Sequence, residues 1–280
     1  MSGPSTGFSE SRIRAELGIA GQAHLRDLVL LCEVDSTNLE LARRPAAERH
    51  ACAILADGQS AGRGRRRRAW HSPPGGNLYL SVGWRFEQPP RLVAPLPLVC
   101  AVISARILES LEAPQVRIKW PNDLQIDGRK LGGILVESGV SGPSRFDVIA
   151  GIGINVRMEA DRPEARAIDQ PWTCLADHLV AAGEPAFRDR LAGRLLGGLL
   201  QGFGDFGETG FGPFQTDWQR FDALRGQEVR VSGDQEALTG RVLGITPQGA
   251  LRVRIQTPAG GTEVREFLAG DVSVRPHQEN

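Results

Sequence analysis

The densest chemistry in the sequence is GRGRRRRAW (62–70), where five arginines fill six positions beside two glycines. Such a cluster serves one of three ends. It forms a solvated basic turn, it neutralises nucleic-acid phosphates, or its guanidinium forks and bare backbone N–H groups grip a phosphate or carboxylate. The run alone does not choose among them. It is not one of the common nucleotide loops: GxxxxGK[ST] is absent, and both GRGRRR and GIGIN (151–155) lack the third glycine of GxGxxG. The sequence also lacks a GxSxG elbow, an HExxH pair and a kinase signature, so those chemistries have no carrier.

A second constellation, KWPNDLQIDGRKLGGILVE (119–137), holds both lysines of the chain, Lys119 and Lys130. Asp127-Gly128 predicts a hairpin turn that joins a strand carrying Lys119 to a strand carrying Lys130, bringing both near one site. Pro121 fixes the backbone before Asn122 and Asp123, which serve either as plain turn residues or as side chains held rigidly at a strand end. Gly132-Gly133 inside a strand lowers stability unless something approaches that backbone closely. Together the two segments offer cations, amide and hydroxyl donors and bare glycine backbone, with no nucleophile triad and no metal cage. That set suits the joining of two anions, a carboxylate and the α-phosphate of a nucleotide, whose repulsion Arg and Lys offset. The expected product is an acyl-adenylate, over which a Gly/Arg loop closes to exclude water.

These segments must be held by a scaffold. An apolar run over 28–34 predicts a buried strand, and Asp35-Ser36-Thr37-Asn38 predicts a helix start behind it. Residues 53–57, 77–86, 116–120, 130–138 and 146–156 read as further strands, 96–111 and 172–205 as helices. Short alternating strands with turn residues between them follow residue 222 and predict a small β-barrel. The expected fold is α+β: a mixed, mostly antiparallel sheet with flanking helices, then an SH3-like barrel. The expected divisions are a polar N-terminal tail (1–22), either loose or a first short helix, a catalytic domain (23–222) and a C-terminal β-domain (223–280).

Composition narrows the class. The 280 residues carry 33 basic and 33 acidic side chains, and the hydrophobic share of 41% is ordinary for a globular chain. Neutrality and a single dense basic run count against a nucleic-acid-binding module. Cys32, Cys52, Cys100 and Cys174 have neither zinc-ligand spacing nor the density of a disulfide framework. With no signal-peptide pattern and no membrane span in the sequence, reduced thiols and a cytoplasmic location are expected. Of the basic residues two are lysine and 31 arginine, so whatever needs an ammonium rests on Lys119 or Lys130.

In order and spacing, STN (36–38), QSAGRGRRRRAW (59–70), SPPGGNLYLS (72–81), KWPNDL (119–124), GRKLGGILVE (128–137) and GIGINV (151–156) resemble the biotin–protein ligases. The resemblance covers about residues 25–220, and the small β-domain is similar to the family's C-terminal module. It implies two steps. Biotin and MgATP give biotinyl-5′-AMP and pyrophosphate, and the adenylate then biotinylates a lysine of a biotin carboxyl carrier protein of acetyl-CoA carboxylase or a related carboxylase. By the same resemblance Ser36, Thr37 and Asn38 face the ureido ring, and Gln59, Arg63, Gly64 and Arg65 cover biotin and the adenylate. Gly133 and Gly151 give backbone contacts to biotin, while Arg65, Arg68, Trp70, Asn122 and Asn155 lie near ATP. Lys130 stands beside the biotin carboxylate and α-phosphate as the main electrostatic catalyst, with Arg65 assisting. Asp123 steers Mg²⁺ or a lysine, and Lys119 is a structural partner.

Two departures stand out. The loop in many members reads GRGRRGR, whereas this chain has Arg67 at the last glycine, an Arg without glycine's freedom at positive φ. Only 35 residues precede Ser36, too few for the winged-helix DNA reader of bifunctional members, so DNA binding is not expected. A lipoate or octanoate transferase of related fold is the alternative for the same chemistry, and a homodimer is left open.

Overall fold

The computed structural model describes residues 7–87, 94–142, 145–159, 163–166, 168–232, 237–257, 260–269 and 273–276. Strands β1 (Asp27–Val34), β2 (Cys52–Gln59), β3 (Leu78–Phe86), β4 (Arg117–Lys119), β5 (Asp123–Ile126), β6 (Arg129–Gly142) and β7 (Arg145–Ile154) form one seven-stranded sheet in the order β1-β2-β3-β7-β6-β5-β4. The β1–β2 pair is parallel and the other pairs are antiparallel, so the sheet is mixed as expected. Helices α1 (Glu10–Ala15), α2 (Gly18–His24), α3 (Thr37–Arg43), α4 (Ala46–Arg49), α5 (Leu96–Ser110), α6 (Pro163–Arg166), α7 (Phe187–Thr209) and α8 (Gln215–Phe221) complete this part.

Strand alternation sorts the sheet into two faces. Leu78, Leu80 and Val82 of β3, Ile134 of β6 and Ile152 and Ile154 of β7 enter the main core with α5 and α7. The opposite face is apolar near α3, where Leu41, Cys52, Ile54 and Ile149 cluster, and polar or bare elsewhere. On it one register row runs Ile54–Ser81–Gly151–Leu135, and the next runs Ala56–Tyr79–Gly153–Gly133–Asp123–Lys119. The glycines of both glycine motifs therefore meet in one row. A sheet floor without side chains leaves a trough.

Several expectations change. The hairpin segment contains three strands instead of two: β4 turns through Pro121 into β5, and the Asp127-Gly128 turn, with φ of 51° and 71°, joins β5 to β6. Lys119 is therefore opposite Asp123, and Lys130 is opposite Gln125. Helix was expected over 172–205, yet the long helix begins at Phe187, after short 3₁₀ turns at Leu175–Asp177 and Val180–Gly183. It then runs to Thr209 and carries several glycines that serve packing. At Gly197 a Cβ would stand 2.0 Å from the carbonyl of Leu17, so the glycine lets the α1–α2 segment seat on α7. Of the two readings of the N-terminal stretch, the short helix is the one found: the chain is helical from Glu10, with Ile13 fully buried, while residues 1–6 lie outside the described ones.

Beyond α8 a five-stranded sheet has the order β11-β10-β9-β8-β12, from β8 (Glu228–Ser232), β9 (Leu238–Ile245), β10 (Leu251–Gln256), β11 (Thr262–Phe267) and β12 (Ser273–Pro276). Its Val229, Val231, Val242 and Val253 belong to the same apolar core as the large sheet. The Trp120 indole N–H donates to the Gly249 carbonyl at 3.0 Å and links the two.

Candidate active site

The trough is part of a cleft of about 1340 Å³ lined by the residues expected at the biotin and ATP sites, together with Gln219, Arg220, residues 222–225, Gln227 and Val274. Ser36 caps α3 from an extended conformation, and Ser36, Thr37 and Asn38 are buried at the cleft's inner end. Gln59, at the end of β2, accepts from the Thr37 N–H at 2.9 Å and donates to Ser72 Oγ at 2.8 Å. Ser81 Oγ lies 2.7 Å from Thr37 Oγ1 and 2.6 Å from Asn38 Oδ1, and Asn38 Nδ2 donates to Glu137 Oε2 at 2.8 Å. A Cβ on Gly151 would stand 2.3 Å from Asn38 Oδ1, so only glycine lets Asn38 lie against β7.

The arginine loop folds back over this floor as a small hairpin. Trp70 N donates to the Gly62 carbonyl and Gly64 N to the Arg68 carbonyl, both at 2.8 Å, and a 3₁₀ turn spans Arg65–Arg67. Arg66 and Arg67 both adopt left-handed backbone, with φ of 55° and 59°. Arg65 reaches across the cleft and donates to Asn122 Oδ1 at 3.1 Å. Burial holds its guanidinium below the ordinary arginine value, Arg66 and Arg68 push the same way, and Asp123 opposes them. The Trp70 indole rests on the glycine floor: a Cβ on Gly153 would come within 2.6 Å of its Nε1, and one on Gly133 within 3.4 Å of its ring. Its Nε1–H is buried without a hydrogen-bond partner.

Lys130 stands at the other wall. Its Nζ is 2.9 Å from Asp123 Oδ1 and 5.3 Å from the centroid of the Trp70 ring. Backbone bonds from Lys130 N to the Pro171 carbonyl (3.0 Å) and from Thr173 N to the Lys130 carbonyl (2.9 Å) clamp its strand to the 168–173 segment. Asn155 Nδ2 donates to the Thr173 carbonyl at 3.1 Å, which ties that segment to the end of β7. Asn122 Nδ2 donates to the Ile134 carbonyl at 2.8 Å, so Asn122 is a held side chain and not merely a turn former.

The structure thus brings Ser36, Thr37, Asn38, Gln59, Arg63, Gly64, Arg65, Arg68, Trp70, Asn122, Asp123, Lys130, Gly133, Gly151 and Asn155 to one cleft, and Lys119 lines it as well. Of the two tasks expected of Asp123, the geometry supplies the lysine. Among the described residues, three or more His, Cys, Asp or Glu side chains nowhere gather into a metal cage. Sequence reading missed Ser72, Ser81, Glu137 and Trp172. The signal for Ser81 and Glu137 was a polar residue on the strand face turned away from the core, which gains meaning only once α3 and the arginine loop are placed above it.

Comparison with known proteins agrees over most of the chain. The profile of the Biotin/lipoate A/B protein ligase family matches residues 31–155, and that of the Biotin protein ligase C terminal domain matches residues 225–275. The "Bifunctional ligase/repressor BirA" of Escherichia coli (strain K12) is 37% identical over 259 residues, covering 92% of this chain and 77% of the relative. The "Biotin--[acetyl-CoA-carboxylase] ligase" of Paracoccus denitrificans is 31% identical, covering 82% of this chain and 95% of the relative. Among solved structures, the biotin protein ligase from Aquifex aeolicus in complex with biotin and ATP has a TM-score of 0.72 at 29% identity, covering 90% of this chain and all of that one. The Leishmania major ligase in complex with biotinyl-5-AMP has a TM-score of 0.55 at 28% identity, covering 85% and 98%.

Proposed function

This chain belongs to the biotin protein ligase family, and from that premise we propose how its cleft divides the labour. The protein is a biotin--[acetyl-CoA-carboxylase] ligase that biotinylates a carboxylase carrier protein, with biotin and ATP as substrates. One observation carries the assignment of roles: an ammonium, Lys130 Nζ, is fixed by Asp123 at 2.9 Å on the wall of a glycine-floored trough.

Ser36, Thr37, Asn38 and Gln59 form the polar end that receives the ureido ring. The thin floor at Gly133 and Gly151 admits the bicyclic ring system and leads its carboxylate toward Lys130. Arg65, Arg68, Trp70, Asn122 and Asn155 surround the nucleotide. As a carboxylate oxygen attacks the α-phosphorus and pyrophosphate leaves, Lys130 and Arg65 face the charge that gathers between the two anions. A point charge on a flexible stem follows that movement better than a planar fork does, which assigns the central role to Lys130. Arg63 and Gly64 close the loop over the adenylate until the neutral amine of the carrier lysine attacks the acyl carbon. AMP then departs with the bonding electron pair, and the lysine proton passes to solvent.

Mg²⁺ would enter with ATP, a hard ion suited to phosphate oxygens, and would offset their charge. Asp123 fits it poorly as a direct ligand, because its Oδ1 already faces an ammonium. The domain division at residues 222/223 is part of this proposal, as is work in the cytoplasm, where ATP is present and the four cysteines, none in a disulfide, stay reduced. We also propose a ligase without repressor function in these residues. In support, α1 and α2 pack on α7 as part of the catalytic unit and make no separate DNA reader.

The test is biotin-dependent exchange of pyrophosphate into ATP. Wild type exchanges, and Lys130→Ala falls by about 10²–10³, as expected for loss of one preorganised charge at the reacting centre. Full exchange in Lys130→Ala overturns the catalytic assignment, and exchange with lipoate in place of biotin overturns the substrate.

A further inference from the structure

Glu137 lies two residues beyond Leu135 on β6 and so shares the cleft face of the sheet. Its two carboxylate oxygens hold groups from distant parts of the chain. Oε2 accepts from Asn38 Nδ2 at 2.8 Å, and Oε1 is 3.1 Å from Arg63 Nη1. Asn38 opens α3 at the polar end of the trough, whereas Arg63 opens the arginine loop above it.

The Asn38 amide is oriented from both ends. Ser81 Oγ sits 2.6 Å from its Oδ1, and Glu137 together with the Leu135 carbonyl, at 3.4 Å, takes its NH₂ group. An amide offers an acceptor on one side and two donors on the other, so these partners decide which atom faces a ligand. The same carboxylate carries the charge that tethers the loop. Its side chain is 35% exposed and that of Arg63 38%, so the tether is half in solvent. Such a pair is worth at most about fivefold in an equilibrium. A loop that must open to admit substrates tolerates a tie of that strength.

We propose that Glu137 is a positioning residue that latches the arginine loop to the pocket floor, so that loop closure and the orientation of Asn38 are set by one carboxylate. It touches no reacting atom and acts through Arg63 and Asn38. Loss of the latch speeds escape of the adenylate without an equal loss of its formation. This consequence rests on the acyl-adenylate reading of the cleft, whereas the latch itself rests on the two contacts alone.

Two substitutions separate the contacts. Glu137→Gln keeps an oxygen for Asn38 but removes the charge facing Arg63; Glu137→Ala removes both. Trypsin cleavage after Arg65 to Arg68 of the ligand-free protein, sites that every variant keeps, reports the latch directly. We expect Glu137→Gln to be nicked two- to fivefold faster than wild type and to match Arg63→Gln, with the double variant no faster than either single one. After single-turnover loading with biotin and ATP, the adenylate should leave Glu137→Gln faster by a similar factor, with the KM for biotin within about twofold. Glu137→Ala should raise that KM as well. Nicking of Glu137→Gln at the wild-type rate overturns the latch, as does a double variant additive in its parts. If neither wild type nor variant forms an adenylate, the functional reading fails while the proteolysis still judges the latch.

Discussion

Arg67 shows how one residue tunes the site. It occupies the place of the last glycine in the GRGRRGR loop pattern, and its backbone is left-handed at φ 59°. For a residue with a Cβ that conformation costs about 1–2 kcal/mol, part of which glycine returns as greater freedom of the open loop. Arg67→Gly should therefore steady the closed loop, lengthening the retention of biotinyl-AMP by about two- to fivefold while adenylation continues. Retention measured by dilution of preloaded enzyme checks this, and an unchanged lifetime refutes it. The need for Arg67 to go left-handed was legible from the motif alone. The strain at Arg66, with φ of 55°, was not, because it comes from the 3₁₀ turn that closes the hairpin. For Asp123 the motif left Mg²⁺ and a lysine open; the pairing with Lys130 follows only from the neighbouring strand, displaced by a register shift between Leu124 and Gln125.

At the scale of elements, β3 stacks its core face against aromatic rings. His50 meets Trp84 edge-on at 4.6 Å and His24 does so at 5.7 Å, while His50 Nδ1 accepts the Arg85 N–H at 3.2 Å. Burial, then Arg26 and Arg85, hold the His50 pKa below its ordinary 6.5; Asp147 opposes and His24 adds to the lowering. The unfolded chain therefore takes up a proton near pH 6.5 that the folded protein refuses until lower pH. Stability should fall as pH drops through that window. Urea midpoints between pH 7.5 and 5.5 should decline in wild type and less so in His50→Gln; equal slopes refute the assignment. Most strands were legible from apolar runs, because the large sheet is buried on one face and patterned on the other. β5 was not. Four residues between two turns carry too little pattern, so the pairing of Lys119 with Asp123 was not foreseen. The late start of α7 has a similar cause: residues 172–186 have apolar spacing, yet Thr173 and Cys174 bond to Asp177 and turn the chain as 3₁₀ structure instead.

Across the whole molecule, the two sheets share one apolar core and are tied by Trp120 to Gly249. A common core predicts a single cooperative transition. Far-ultraviolet dichroism and tryptophan fluorescence should give coincident urea curves, and two separated transitions would show that the β-domain stands alone. The fold class and the family were readable because six motifs keep their order along the chain. The reach of residues 222–225 into the cleft was not, since it depends on how the last helix lays that segment beside β4. The placement of the lysines has a practical consequence. Lys119 and Lys130 both line the cleft, and the rest of the chain offers arginine where other proteins offer primary amines. Apart from the α-amino group, succinimidyl esters, aldehydes and amine-coupling surfaces find targets only where substrates bind. Ordinary protein-labelling chemistry thereby becomes an affinity label for this enzyme, and ATP or biotin its protecting group.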